Sequence, residues 1–203
     1  MLRILIFLMF TCVGHSQILP SQQAIHNKKE VDLDTWDSSI KPSCTTFSNN
    51  DRTAVENNCS NSWSTIYGEI PVSSGTKEWE VTVNAISAGG WTFNITLGIV
   101  NTRNNKDTYS TNKTPGSGGT SGALGYVYAN DGRAETNVVF KSYGASYTAG
   151  DVIKISVDMD AGEIAFYKNG DSQGVAYTGI AAGTYYLAAT IYKGQDQSLT
   201  ISG

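Results

Sequence analysis

The strongest constraint on this chain is a period-two alternation of apolar and polar residues that recurs along most of its length. Trp79, Val81 and Val83 alternate with Glu78, Glu80 and Thr82. Ile95, Leu97 and Ile99 alternate with Thr96 and Gly98, and Leu124, Tyr126 and Tyr128 follow, then Val138 to Phe140. Ile153, Ile155, Val157 and Met159 share one face against Lys154, Ser156 and Asp158. Ile164 with Phe166, then Tyr185, Leu187, Ala189 and Ile191, and finally Leu199 with Ile201 repeat the pattern. A strand points successive side chains to opposite faces, so each run has one apolar and one polar side. Turn residues punctuate the runs: Ala88-Gly89-Gly90, Asn130-Asp131-Gly132, Ala149-Gly150-Asp151, Asp160-Ala161-Gly162 and Lys168-Asn169-Gly170. Short strands with such spacing predict an all-β fold, an antiparallel sandwich. No stretch has helical periodicity, and no internal repeat is visible.

Composition supports the same class. Only 16% of residues are charged, while Gly reaches 21 and Tyr 11 in 203 residues. That balance suits a β domain better than a helical bundle. The net charge of -4 argues against a phosphate-neutralising nucleic-acid binder and against a polybasic membrane-surface protein.

Residues 1–16 read as a secretory signal peptide. Arg3 precedes the apolar run from Ile4 to Phe10, and Gly14 and Ser16 supply small residues for cleavage. A bilayer span needs roughly 20 apolar residues, so the run is too short for an anchor. Residues 17–32 are polar and aperiodic, which predicts a flexible mature N-terminus. Residues 33–203 hold the sandwich. The expected localisation is secreted, extracellular, or periplasmic or cell-surface in a bacterium, with no membrane span.

Removal of the signal peptide removes Cys12 and leaves Cys44 and Cys59. In an oxidising compartment an even pair predicts one disulfide. It closes a loop of about 15 residues, worth roughly 3 kcal/mol on a chain-entropy model. Asn58, Asn94 and Asn112 begin Asn-x-Ser/Thr sequons, which act as glycan acceptors only in a eukaryotic secretory pathway.

The sequence is poor in catalytic chemistry. Its 2 histidines are His15, in the signal peptide, and His26, in the mature tail. The folded part therefore offers no Ser-His-Asp or Cys-His system and no His-ligated metal site. No phosphate-binding or dinucleotide fingerprint occurs. Asp158, Asp160 and Glu163 form the one acidic cluster. Paired carboxylates serve glycosidases, but Asp160-Ala161-Gly162 has turn chemistry and Asp158 falls on the solvent face. No enzyme activity, cofactor or metal is expected.

A run of motifs resembles the SPRY domain, the core of the larger B30.2 domain. Ser73-Ser74-Gly75 with Trp79-Glu80-Val81 is similar to its first core strand, and Leu97-Gly98-Ile99 to its "vGi" strand. Gly125-Tyr126, Tyr143-Gly144, Gly150-Asp151-Val152-Ile153 and Asp158-x-Asp160-x-Gly162 follow in order. Phe166-Tyr167-Lys168-Asn169-Gly170, then Gly174-Val175-Ala176-Tyr177, resembles its hairpin. Thr35-Trp36-Asp37 and Phe47-Ser48-Asn49-Asn50 resemble the lead-in of compact SPRY-like modules. The resemblance implies a bent, concanavalin-like sandwich, or jelly roll, that binds a protein or peptide partner through loops at one edge. A carbohydrate-binding, lectin-like role is the alternative, with a glycosidase a distant third. The candidate loops are 87–92, 101–122, 130–137 and 143–149. Loop 101–122 is either binding surface or solvated filler. The candidate binding residues are Trp91 and Tyr109 for contact area, Arg103 and Arg133 for directed hydrogen bonds, and Asn130 and Asp131 for polar contacts. Trp79, Tyr126 and Phe166 are expected in the core.

Overall fold

The computed structural model describes residues 33–57, 63–87, 93–103, 124–137, 139–192 and 195–203, all within one compact unit, Leu33–Gly203. Residues 1–32, expected to hold a signal peptide and a flexible N-terminal segment, lie outside the described residues, as do Asn58, Cys59, Trp91, Tyr109, Asn112 and Val138. The described residues hold thirteen strands. They are β1 (Thr45–Ser48), β2 (Thr53–Asn57), β3 (Trp63–Tyr67), β4 (Thr76–Ala85) and β5 (Ile95–Val100). Then come β6 (Gly125–Ala129), β7 (Arg133–Thr136), β8 (Val139–Ser142) and β9 (Val152–Asp158). The last four are β10 (Glu163–Lys168), β11 (Asp171–Thr178), β12 (Tyr186–Tyr192) and β13 (Gln195–Ile201).

They form two antiparallel sheets. One has seven strands in the order β1-β2-β13-β4-β9-β10-β11, and the other has six in the order β3-β12-β5-β6-β7-β8. The period-two faces predicted from sequence meet between them. Trp79 of β4 and Phe166 of β10 both lie opposite Ile155 of β9. Ile155, Trp79 and Phe166 are all fully buried. Leu97, Ile99, Tyr126, Tyr128, Leu187 and Ala189 face them from the six-stranded sheet in the same core cluster. Tyr126 is 9% exposed, so all three aromatic residues expected in the core are there.

Two features of the six-stranded sheet depart from the expected one-sided pattern. β3, β5 and β6 are buried at every position. The outer face carries its own clusters, Trp63 with Phe93, Ala129 and Tyr192, and Tyr67 with Val100, Ala188 and Ile40. At the centre of this sheet a Cβ on Gly98 would lie 2.0 Å from the Tyr126 carbonyl oxygen. The close approach of β5 and β6 thus requires the glycine of the Leu97-Gly98-Ile99 motif.

Residues 130–137, expected as a loop, are mostly strand. Asn130-Asp131-Gly132 makes the turn, with Gly132 N–H donating to Ala129 O at 3.0 Å. Arg133–Thr136 then pairs with both β6 and β8. Their charged, polar side chains concealed the strand from a reading based on apolar alternation.

Candidate functional site

The described residues of the candidate loops fall at two opposite ends of the six-stranded sheet. β5 and β6 are antiparallel, with Thr96 opposite Ala129 at one end and Val100 opposite Gly125 at the other. Residues 87, 94, 130–133 and 143–149 gather at the first end. Asn94 Nδ2 donates to Ser87 O at 3.1 Å. Tyr147 N–H donates to Asn130 O at 2.9 Å, and Gly144 N–H to Gly132 O at 3.0 Å. Arg103 stands at the other end. It ion-pairs with the buried Asp37, and its guanidinium lies over the Tyr186 ring at 4.3 Å. These contacts tie the chain after β5 to the segment before β1, so Arg103 shares no site with Asn130, Asp131 and Arg133.

Asn130 serves the fold. Its Oδ1 accepts from the N–H groups of Asn94 at 2.7 Å and Ile95 at 3.0 Å, closing the start of β5. Asn130→Ala leaves two partly buried donors unsatisfied and is expected to destabilise the domain by about 1–3 kcal/mol. Thermal melting would measure this. An unchanged melting temperature would count against a structural role for this side chain.

Loop 143–149 is likewise fastened rather than free. Tyr147 Oη donates to Tyr128 O at 2.9 Å and lies 3.3 Å from Ile95 O. Tyr128 Oη donates to Ala145 O. Gln173 Oε1 accepts from Ala145 N–H at 2.9 Å, and Lys168 Nζ donates to Ser146 O at 2.9 Å. Burial pushes the Tyr147 hydroxyl well above the usual tyrosine range. Burial, with Tyr143 and Asp151 nearby, pushes Tyr128 up to about 12. Both therefore stay protonated donors across physiological pH.

Arg133 and its aromatic neighbours make the surface feature of this end. Asp131 holds the guanidinium, accepting from Nε at 2.7 Å and lying 2.7 Å from Nη2. The guanidinium lies 5.2 Å from the centroid of the Phe93 ring and 4.8 Å from that of Phe140. Phe93 in turn packs on Trp63 at 5.2 Å, and Trp63 on Tyr192 at 4.7 Å. This aromatic row runs from buried Trp63 to Phe140, which is 42% exposed. Val139 beside it is 63% exposed. The sequence reading picked out Arg133 and Asp131 but missed Phe93, Phe140 and Trp63. A single aromatic in an alternating strand signals burial, and only the sheet pairing brings Phe140 beside Arg133.

The acidic cluster forms a turn. Asp158 Oδ1 accepts from the N–H groups of Asp160 at 3.0 Å and Ala161 at 2.9 Å. Asp160 Oδ1 accepts from Gly75 N–H at 3.0 Å. The Asn94 sequon is occluded, since Asn94 is buried and its amide is engaged with Ser87. Among the described residues no group of three or more His, Cys, Asp or Glu side chains is placed to hold a metal ion. Among them, too, no helix is long and apolar enough to cross a membrane.

The described residues thus form a two-sheet antiparallel sandwich with structured turns and an Arg-aromatic surface at one end. The chain belongs to the SPRY domain family, whose model matches residues 76–203, and SPRY domains are protein-interaction modules of generally non-enzymatic character. Similar solved structures include the SPRY domain of human HERC1, with a TM-score of 0.62 at 20% identity, covering 82% of this chain and 96% of that one. The PSpry domain of TRIM65 superposes with a TM-score of 0.64 at 14% identity, covering 94% and 98%. At these identities the likeness is one of fold. The E3 ubiquitin-protein ligase RKP of Arabidopsis thaliana is 42% identical over 74 residues, which is 34% of this chain and 6% of that protein. The chain thus spans a small fraction of that relative's length.

Proposed function

We propose that this protein is a secreted, non-enzymatic binding module that recognises a protein or peptide partner at the Arg133 end of the sandwich. The observation that carries the reading is the half-exposed Phe140 stacked with Arg133 and Phe93. Aromatic and Arg side chains dominate interface energies when a partner excludes water from them. Asp131 and the ring faces hold the guanidinium in place, which lowers the ordering cost of binding.

A pull-down from extracellular extract, read by mass spectrometry, tests this. Phe140→Ala and Arg133→Ala should lose the captured partner with little change in melting temperature. Retention of the same partner by both variants would remove the site. Capture on a glycan array without any protein partner would replace the reading with the lectin-like one.

The secretion part of the proposal rests on the signal peptide and on the Cys44–Cys59 pair. Asn57 N–H donates to Cys44 O at 3.1 Å in the β1–β2 hairpin. Cys59 lies outside the described residues, two positions after Asn57 in the sequence. Thiol titration of the non-reduced, denatured mature protein should find no free thiol, whereas two reactive thiols would refute the pairing.

A further inference from the structure

The two sheets have four edge strands, β1, β11, β3 and β8. An exposed edge is a row of unpaired N–H and C=O groups, and native proteins usually blunt it with a lysine, a bulge or a cover. Three of the four are treated in these ways. Lys41 crosses β1, with Nζ donating to Thr45 O at 3.2 Å and lying over the Phe47 ring. β11 is bulged twice against β10, and its Ala176 and Gly174 carbonyls accept from Lys141 Nζ and Tyr143 Oη. β3 is buried throughout, and the segment before β1 continues the pairing at its end. There Asp37 N–H donates to Tyr67 O at 2.7 Å and Glu69 N–H to Thr35 O at 2.9 Å.

β8 has none of these protections. All four of its residues are exposed, and among the described residues it pairs with β7 alone. Its one charged side chain, Lys141, is turned to the Ala176 carbonyl and the Tyr177 ring. The ladder fixes which backbone groups are open. Tyr143 N–H donates to Gly132 O at 3.1 Å, directly across the β7–β8 register. Antiparallel pairs alternate between bonded and non-bonded. Lys141 and Val139 therefore direct their N–H and C=O toward β7, while Phe140 and Ser142 direct theirs to the open side. The apolar side chains flank this edge on both faces. Phe140 stands on the outer face beside Arg133, and Val139 points to the opposite face. Val175, 52% exposed, adjoins Ala176, where Lys141 anchors.

We propose that β8 is a strand-addition site for an extended peptide segment of the partner, carrying apolar side chains on both faces where it passes Val139 and Phe140. The inference deepens the binding-module reading above and rests on it. Main-chain hydrogen bonds to Phe140 and Ser142 give such a peptide its affinity, and the Phe140–Arg133–Phe93 stack selects the side chain beside it. The area favours a peptide over a second copy of this chain. A four-residue strand spans only about 13 Å. A stable dimer buries roughly 1,200–2,000 Å².

The test is selection of random linear dodecapeptides displayed on phage against the intact protein, followed by synthesis of the strongest binder. Bound peptide should slow amide hydrogen exchange at Phe140 and Ser142 and leave Val139 and Lys141, already bonded to β7, little changed. Ser142→Pro removes one outward N–H and no ladder bond, a position where an edge strand accepts proline. Phe140→Lys adds the missing edge charge. Each should weaken the peptide at least tenfold with the fold retained by circular dichroism. A peptide bound equally well by both variants leaves the binding module standing and overturns the edge site. Concentration-dependent dimerisation of the unliganded protein, abolished by Phe140→Lys, overturns it in favour of a second copy. Failure to select any peptide, while the extracellular pull-down still captures a protein, overturns the extended-peptide partner.

Discussion

Replacing Phe166 by alanine is expected to lower the stability of this domain by about 3–5 kcal/mol, as truncation of a packed core aromatic does. Phe166 has no exposed surface. Its ring packs against Tyr128 at 5.3 Å and Tyr143 at 6.0 Å, and it lies opposite Ile155 in the ladder. Tyr128 in turn stacks on Tyr147 at 5.2 Å. The truncation therefore opens a cavity below loop 143–149 and loosens the tyrosines that fasten it. For a domain of this size the melting temperature should fall by roughly 6–20 °C. A fall of less than two degrees would mean that Phe166 is not packed as described.

The second large effect is a pH dependence centred on Glu56. This carboxyl is fully buried in β2, accepting from Ser64 Oγ and, at 3.5 Å, from Thr45 Oγ1. Burial pushes it up to about 7 from 4.5, although both hydroxyl bonds act in the other direction. Below pH 4.5 it is protonated in folded and unfolded chains alike and contributes no pH dependence. Between 4.5 and 7 the unfolded chain has released the proton and the folded chain still holds it. Stability therefore falls as pH rises through this window, and the loss is complete above 7. The full difference is up to about 3 kcal/mol. Glu56→Gln keeps the acceptor for Ser64 and removes the charge. It should melt above the parent at pH 8 and lose that advantage by pH 4. Parallel melting curves for the two proteins from pH 4 to 8 would show that burial does not hold this proton.

The separation between what could be read in the sequence and what could not follows the range of the interactions. The strands of the core were legible because the period-two pattern is local. Trp79, Val81 and Val83 commit one face of β4 to burial whatever their partners. The turns were legible for the same reason. Asn169-Gly170 adopts the positive φ values of 52° and 88° that its residue types favour. β1, β2 and β3 were not legible, because Thr45–Ser48, Thr53–Asn57 and Trp63–Tyr67 are rich in Thr, Ser and Asn and show no alternation.

Tertiary structure alone set the rest, through pairing between distant residues. β13, at the end of the chain, inserts between β2 and β4, and no local pattern specifies that neighbour. The pairing of β5 with β6 sends Arg103 and Arg133 to opposite ends of one sheet, although both are arginines in turn-rich sequence. Arg103 is drawn into an ion pair with Asp37, and Arg133 is laid over Phe93 and Phe140. The sequence by itself determined which faces are apolar and where the chain turns, because φ/ψ preference and side-chain alternation act within a few residues. Which strands became edges, and so which backbone groups stay open along β8, was decided by the order in which the strands assemble, because a hydrogen-bond ladder exists only between residues that the chain brings together from afar.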